Sequence, residues 1–97
     1  MTEHEQVRAD FEGELARTGV DITWEGRTVR CFHRAAPVVP DSYHNQSVQR
    51  RQYWFAHGAV PVSPPGTEVD IDGTLWVVVE SCRQLHSDTL TVSRYLA

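Results

Sequence analysis

The 97-residue chain contains no lysine, and all nine of its basic side chains are arginines. It also lacks any apolar run near the ~18 residues that a membrane-spanning helix requires. Neither a glycine-rich phosphate loop nor an amphipathic basic helix is present, which argues against nucleotide-binding and membrane-surface functions. The polar, helix-patterned N-terminus differs from a signal peptide, so we expect a soluble protein that is made and kept in the cytoplasm.

Sites built from cysteine, serine or histidine are poorly supported by the sequence. Cys31 and Cys82 fall in predicted strands, where small buried thiols are favoured over a disulfide or a metal pair. No serine has the context of a nucleophile elbow, so a hydrolase triad is not expected. Five histidines are scattered without the spacing of a zinc site: His4, His33, His44, His57 and His86. We therefore predict no catalytic residue, no metal and no cofactor.

The composition is that of an ordinary globular domain. Apolar residues make up 40% of the chain and charged residues 23%, so global disorder is not expected. The length predicts one domain, residues 1–97, with a single modest core. The formal net charge of −4 does not favour a free-standing nucleic-acid binder, which would need clustered basic charge.

The segment from Asp70 to Thr74 spells Asp-x-Asp-Gly-Thr and resembles the first motif of the haloacid dehalogenase-like phosphotransferases. That resemblance would make Asp70 the nucleophile and Asp72 the general acid/base. The chemistry also needs magnesium, a cation such as lysine and a parallel sheet, whereas only 22 residues follow Leu75. Asp-Gly is instead typical of a two-residue hairpin turn. We expect the turn, with Gly73→Val damaging and Asp70→Asn close to silent.

The first predicted element is a helix from Glu3 to about Thr18. Thr2 is a candidate N-cap, and Gly19 is a candidate left-handed stop. An apolar stripe recurs at helical spacing, and it consists of Val7, Phe11 and Leu15. This thin stripe predicts packing against a sheet or a neighbouring subunit.

A β-hairpin follows, with strands over 20–24 and 27–33 and a turn at Glu25-Gly26. Such a turn places Ile22 opposite Val29 and Val20 opposite Cys31. The predicted core face consists of Val20, Ile22, Trp24, Val29 and Cys31. Residues 35–49 carry prolines and no clear periodicity, so we predict a long loop that is mobile or becomes ordered by a partner.

The remainder predicts an antiparallel meander over 50–97, with strands at 50–57, 67–71, 74–82 and 89–96. The run from Leu75 to Val79 is apolar on both alternating faces, which is typical of a central strand. A charge at Val77 is therefore expected to unfold the domain. The predicted fold class is mainly β (α+β), namely a small antiparallel β-barrel or sandwich of about five to six strands with one N-terminal α-helix.

Basic and aromatic residues alternate between Arg50 and Phe55, as in platforms that bind single strands. A nucleic-acid or peptide-binding module that uses Arg50, Arg51, Tyr53 and Trp54 is therefore an alternative function. In a strand, Tyr53 and Phe55 point to one side and Trp54 to the other. At least one of these faces is expected to belong to the core.

The order of helix, Val-Asp-Ile-Thr-Trp hairpin, proline-containing loop, Asp-Gly hairpin and final Thr-Leu-Thr-Val strand resembles a known family. This layout is similar to that of the head-tail joining proteins of tailed bacteriophages, also called head-tail connector or tail-attachment proteins. The similarity covers most of the chain from about Asp21 onward. It rests on length, order and loop placement taken together.

The resemblance implies a non-enzymatic virion protein that forms a ring, commonly of six subunits, between the portal-proximal connector and the tail tube. Its partners would be further copies, portal or connector proteins, and the tail tube or tail terminator. Genomic DNA would pass through the lumen without sequence-specific binding, and no membrane would be involved. The expected location is the virion, and the host cytoplasm during assembly. A tail terminator or another connector ring is a related alternative. Candidate partner-binding residues are Pro37, Pro40, Tyr43, Arg50 and Arg51.

Overall fold

The computed structural model of the chain describes residues 3–36, 38–41 and 46–96. One helix lies in these ranges, α1 (Glu3–Thr18), as predicted. Seven strands follow it: β1 (Val20–Trp24), β2 (Arg27–Ala35), β3 (Val39–Asp41), β4 (Gln46–Ala56), β5 (Glu68–Ile71), β6 (Thr74–Arg83) and β7 (Ser87–Leu96). Across the described part of the chain, α1 falls short of the length and apolarity that crossing a membrane would take.

The strands form a closed antiparallel barrel. Their order is β2-β1-β5-β6-β7-β4, and pairing between β2 and β4 closes the ring at six strands. The short strand β3 pairs with β4 outside the closed circuit. The fold class predicted from the sequence is thereby confirmed, with a barrel rather than a sandwich as its form.

Both hairpin turns that the sequence predicted are present. In the first hairpin, Val20 pairs with Cys31 and Ile22 with Val29, the predicted register. The turn residues Asp72 and Gly73 both have positive φ, 55° and 82°, and Glu25 and Gly26 repeat this pattern in the first hairpin. Positive φ at both central residues is the geometry that fits a two-residue turn to the twist of its strands.

The core lies inside the barrel, where alternate residues of each strand meet. Twelve buried side chains form it: Ile22, Trp24, Cys31, Tyr53, Phe55, Val60, Val69, Ile71, Trp76, Val78, Leu90 and Val92. Two sequence predictions about the core were wrong. Val20 is 43% exposed at the open end of its hairpin, and Val77 is 40% exposed on the outside of the barrel. Successive residues of a strand face opposite sides, so burial of Trp76 and Val78 turns Val77 outward.

The predicted loop over 35–49 is largely strand where the structure describes it. β2 continues to Ala35, β3 occupies 39–41, and β4 begins at Gln46. This part of β4 and the end of β7 extend beyond the barrel as an arm, consistent with molecular extents of 52 × 24 × 22 Å. The radius of gyration of 14.7 Å exceeds the roughly 13 Å typical of a compact chain of this length.

Helix α1 packs on the outside of the barrel against β2 and β4. Its Leu15 is buried, and Phe11 meets Phe32 edge to face with the ring centroids 5.7 Å apart. Gly19 ends the helix without the predicted left-handed conformation, because its φ is not positive. It donates its N–H to the Leu15 carbonyl at 2.9 Å, and a Cβ there would lie 2.4 Å from that oxygen. Glycine is therefore needed at position 19 because the Leu15 carbonyl lies too close for a side chain. Thr2, the predicted N-cap, lies outside the described residues.

Cys31 is a fully buried core residue and Cys82 is partly buried, and both are free thiols. Burial, with smaller contributions from the negative charges of Asp72 and Asp21, raises the pKa of Cys31 from its ordinary value of 9.0 to about 11. The folded chain therefore holds this proton more tightly than the unfolded chain does. The stability that results is complete below pH 9.0 and is lost as the pH rises toward 11.

We therefore expect the free energy of unfolding to fall by about 1 kcal/mol through Cys31 between about pH 8 and about pH 10. Cys31→Ala should be less stable at neutral pH because it leaves a cavity, but its stability should change less over this alkaline range. Urea unfolding followed by circular dichroism at each pH measures both. Parallel pH curves for the parent and Cys31→Ala would contradict the assignment.

Candidate functional site

The carboxylates of the Asp-x-Asp-Gly motif are acceptors for backbone N–H groups. Asp70 Oδ1 accepts from the Gly73 N–H at 3.0 Å within its own turn, and Asp72 Oδ1 accepts from the Thr23 N–H at 2.7 Å. Glu25 Oε1 in turn accepts from the Asp70 N–H at 3.2 Å. The two hairpin tips therefore interlock through their acidic side chains.

These hydrogen bonds reinforce the barrel at the pairing of β1 with β5, where the strand ladder is shortest. The ladder between β1 and β5 contains a single residue pair, Trp24 with Ile71. Two backbone hydrogen bonds extend it, from the Glu25 N–H to the Asp70 carbonyl at 2.9 Å and from the Asp72 N–H to the Thr23 carbonyl at 2.8 Å. The predicted turn is confirmed, and these carboxylates have a structural function.

We expect Gly73→Val to destabilise the domain by about 2 kcal/mol, because a β-branched residue is strained at a φ of 82°. Asp70→Asn should be nearly silent, since its amide oxygen can still accept from the Gly73 N–H. Asp72→Ala should cost about 1 kcal/mol, because the Thr23 N–H loses its acceptor. Thermal unfolding of the three variants gives the order, and an Asp70→Asn that is as damaging as Gly73→Val would contradict it.

A second polar cluster surrounds Asp88, a buried residue near the start of β7. Asp88 Oδ2 accepts from the Gly58 N–H at 2.8 Å and lies 3.4 Å from Arg83 Nε. His57 Nδ1 lies 3.6 Å from Asp88 Oδ1 and donates to the Gln84 carbonyl at 2.7 Å. Among the described residues, no hydrogen bond joins His57 to a serine hydroxyl. The cluster holds the segment that follows β4 against the barrel.

The basic and aromatic residues of β4 divide between its two faces, with Arg50 and Trp54 on the outer face. Tyr53 and Phe55 are buried inside the barrel with their rings stacked at a centroid distance of 5.9 Å, as the strand alternation predicted. Trp54 is half-buried on the outer face. Burial raises the pKa of Tyr53, and the hydrogen bond and charge of Arg51 partly offset this effect. Tyr53 cannot stack on a base, so the four residues Arg50, Arg51, Tyr53 and Trp54 do not form one platform.

Arg51 and Arg94 meet over one indole at the end of the barrel. Their guanidinium carbons lie 4.9 Å and 5.2 Å from the centroid of the Trp76 ring, a distance typical of cation–π contacts. Arg51 also donates to the Tyr53 hydroxyl at 3.2 Å, and Arg94 donates to Gln49 Oε1 at 3.0 Å. Arg51, a predicted partner-binding residue, is thus engaged in the packing of the chain itself.

An open groove of about 570 Å³ lies beside these arginines, between the start of β6 and the end of β7. The ladder between the two strands begins at the pair Val77–Ser93 and ends at the pair Arg83–Asp88. Residues 94–96 of β7 therefore pair with β4 alone. We name this site the arginine groove, and its lining residues are Val48, Arg50, Glu68, Leu75, Trp76, Val77, Ser93, Arg94 and Tyr95. Its volume lies in the range of ligand and peptide sites.

Apolar side chains that are open to solvent form the walls of the arginine groove. Leu75 is 59% exposed and Tyr95 51%, and Val77 lines the same groove opposite Ser93. Arg50 is exposed at the rim. Its carbonyl accepts from the Ala36 N–H at 3.0 Å, and among the described residues its guanidinium has no hydrogen-bond or ion-pair partner. No family model, curated protein or solved structure matches this chain.

Of the five predicted partner-binding residues, two lie in β4 and one lies in β3. Pro40 lies in β3, and Pro37 and Tyr43 lie outside the described residues. Among residues 3–36, 38–41 and 46–96, no three side chains of histidine, cysteine, aspartate or glutamate are grouped as a metal site. Of the two predicted arginines in β4, Arg50 lines the groove and Arg51 does not. Sequence reasoning missed Leu75, Val77 and Tyr95, whose signal was the second apolar face of the Leu75–Val79 run.

Proposed function

We propose that this chain is a non-enzymatic structural subunit of a tailed-bacteriophage virion. In this proposal, copies of the chain form a ring that joins the head to the tail, between the portal-proximal connector and the tail tube. The resemblance in element order supports this function. The observation that carries it is the exposed apolar wall of the arginine groove, because an apolar surface of this kind marks a contact with another protein.

The charge of the chain supports a role around a DNA passage. Its formal net charge is −4, and a passage with acidic walls repels the phosphate backbone, so the genome can slide without binding. The buried position of Tyr53 removes one of the two aromatic rings that a stacking platform on β4 would use. A ring around DNA therefore agrees better with the surface than a sequence-reading module does.

The test is to locate the chain in assembled particles. We expect a tagged chain to co-purify with isolated heads or tails and to appear at the head-tail junction in cryo-electron microscopy. Leu75→Asp should reduce co-purification, whereas Val62→Asp, at a similarly exposed position away from the groove, should not. Particles in which the chain lies away from the junction would refute the proposal. A gel shift at low salt that Arg50→Ala abolishes would favour a nucleic-acid-binding module instead.

A further inference from the structure

We propose that the arginine groove binds an extended strand of a different protein, which pairs with the open edge of β7 at residues 94–96. The bound strand would alternate apolar and acidic side chains, with the apolar ones toward Leu75 and Tyr95 and the acidic ones toward Arg94. This inference rests on the proposed function, because it describes how a neighbouring virion protein would attach to the ring. The mode of recognition is β-strand addition.

The groove is bordered by two open strand edges. In the described part of the chain, residues 94–96 of β7 pair with β4 alone, and residues 74–76 of β6 pair with β5 alone. In an antiparallel strand each residue directs its N–H and C=O to the same neighbour, and successive residues alternate between the two neighbours. At least one of residues 94–96 therefore directs both groups into the groove. Such an edge is a template for a further strand.

Both faces of the diverging strands line the groove. Strand alternation places Leu75 and Tyr95 on the outer face, where each is more than half exposed. Trp76 is buried on the inner face, and Arg94 lies over its ring. A strand laid between β6 and β7 would alternate in the same way, because successive side chains of any strand face opposite sides. Its outward side chains would pack on apolar groups, and its inward side chains would meet an arginine.

The inner face of the groove carries positive charge that the chain itself does not neutralise. Arg51 and Arg94 both lie over the Trp76 ring, and their hydrogen bonds go to a hydroxyl and an amide oxygen. Among the described residues neither is paired with a carboxylate, and Arg51 Nε is buried without a hydrogen-bond partner. Glu68, the one acid among the lining residues, is exposed on the outer face. A carboxylate brought in beside Trp76 would form the strong pair that a guanidinium favours.

A second copy of the chain fits this edge poorly. Two β7 edges paired with each other would bring the arginines of both grooves together, and like charges at a contact are unfavourable. The outer edge of β3, on the other side of the arm, contains Pro40, which has no N–H to donate. Arms of two copies therefore do not pair edge to edge, and we assign the groove to an acidic strand of another protein.

The test measures the binding of fluorescein-labelled synthetic peptides to the purified chain by fluorescence anisotropy. We expect saturable binding of a short peptide that alternates valine and glutamate. A valine–lysine peptide of the same length should bind at least about tenfold more weakly, because its ammonium groups would meet Arg94. The valine–glutamate peptide with an N-methylated backbone should also lose about tenfold, because it cannot donate hydrogen bonds to β7.

The decisive arm changes the charge in the groove. Arg94→Glu should abolish the preference for the valine–glutamate peptide, whereas Arg27→Glu, at an exposed arginine of the first hairpin, should keep it. Leu75→Asp should weaken binding of that peptide by about tenfold or more, and Val62→Asp, at an exposed position away from the groove, should not. Circular dichroism checks the folding of each variant, and Arg94→Gln and Leu75→Ser replace any that unfolds.

Amide hydrogen exchange reports the strand pairing itself, and we expect bound peptide to slow exchange within residues 94–96. Absence of binding, or equal binding of the lysine or N-methylated peptide, overturns the strand site. Self-association of the chain that Leu75→Asp abolishes also overturns it, since a second copy would then occupy the groove. A chain at the head-tail junction whose groove binds no peptide would refute this site and leave the proposed function intact. A chain that binds the peptide but lies away from the junction would have the opposite meaning.

Discussion

Val78→Asp is expected to leave the chain unfolded at room temperature, whereas Val77→Asp, one residue earlier, is expected to fold. Val78 is 1% exposed and points into the closed barrel, and Val77 is 40% exposed on its outer face. An unpaired carboxylate at position 78 would cost about 5 kcal/mol or more, which is comparable to the roughly 5–15 kcal/mol total stability of a domain this size. At position 77 the same carboxylate stays in water.

Far-ultraviolet circular dichroism of the two purified variants, followed by urea unfolding of any that folds, measures this difference. Val77→Asp should remain within about 1 kcal/mol of the parent, because exposed substitutions seldom cost more. A folded Val78→Asp, or an unfolded Val77→Asp, would mean that the inward and outward faces of β6 are assigned the wrong way round.

The reversal between Val77 and Val78 shows what the sequence could and could not predict. Local patterns located the helix, the turns at Glu25-Gly26 and Asp72-Gly73, and the register of the first hairpin, because turn chemistry and alternation are properties of neighbouring residues. Because all five residues from Leu75 to Val79 are apolar, their pattern does not indicate which face of the strand points into the barrel. That choice depends on the pairing of β2 with β4, which closes the barrel and links residues far apart in the chain.

The strand β3 was missed for a similar reason. Its three residues include Pro40, which lacks an N–H and is tolerated only at the edge of a sheet. β3 forms by antiparallel pairing with the beginning of β4, where Val39 lies opposite Val48. A strand of three residues is too short to show a hydrophobic periodicity in the sequence. The part of the chain around it therefore resembled a loop when only the sequence was considered.

The candidate site could be predicted only in part. Arg50 was identified as a partner-binding residue, and its position at the rim of the arginine groove agrees with that hypothesis. Arg51 lies next to it but faces inward over Trp76, as strand alternation requires once Tyr53 is buried. The groove itself arises where β6 and β7 diverge, and this divergence is a property of the barrel rather than of either strand's sequence.

Asp88→Ala is expected to cost about 3 kcal/mol, the second-largest effect among these variants, because it removes the acceptor that anchors the segment after β4. Asp88 is 3% exposed, and it holds the Gly58 N–H directly and Arg83 at 3.4 Å. Arg83 Nη2 in turn donates to the Val60 carbonyl at 3.0 Å, and Val60 is a core side chain. Loss of the carboxylate removes the acceptor of the Gly58 N–H and the contact that positions Arg83. The hydrogen bond from Arg83 to the Val60 carbonyl should weaken as a result.

Urea unfolding of Asp88→Ala beside Glu80→Ala isolates this effect, because Glu80 is an exposed acid on the neighbouring strand. Among the described residues, the side chain of Glu80 has no hydrogen-bond or ion-pair partner. Asp88→Asn should lie between the parent and Asp88→Ala, since its amide oxygen can still accept from the Gly58 N–H while the charge opposite Arg83 is lost. Proteolysis should cut Asp88→Ala between residues 57 and 66 before it cuts elsewhere, because local opening exposes that backbone first. Equal stability of the alanine variants at positions 80 and 88 would show that the barrel end is held by the packing of Val60 alone.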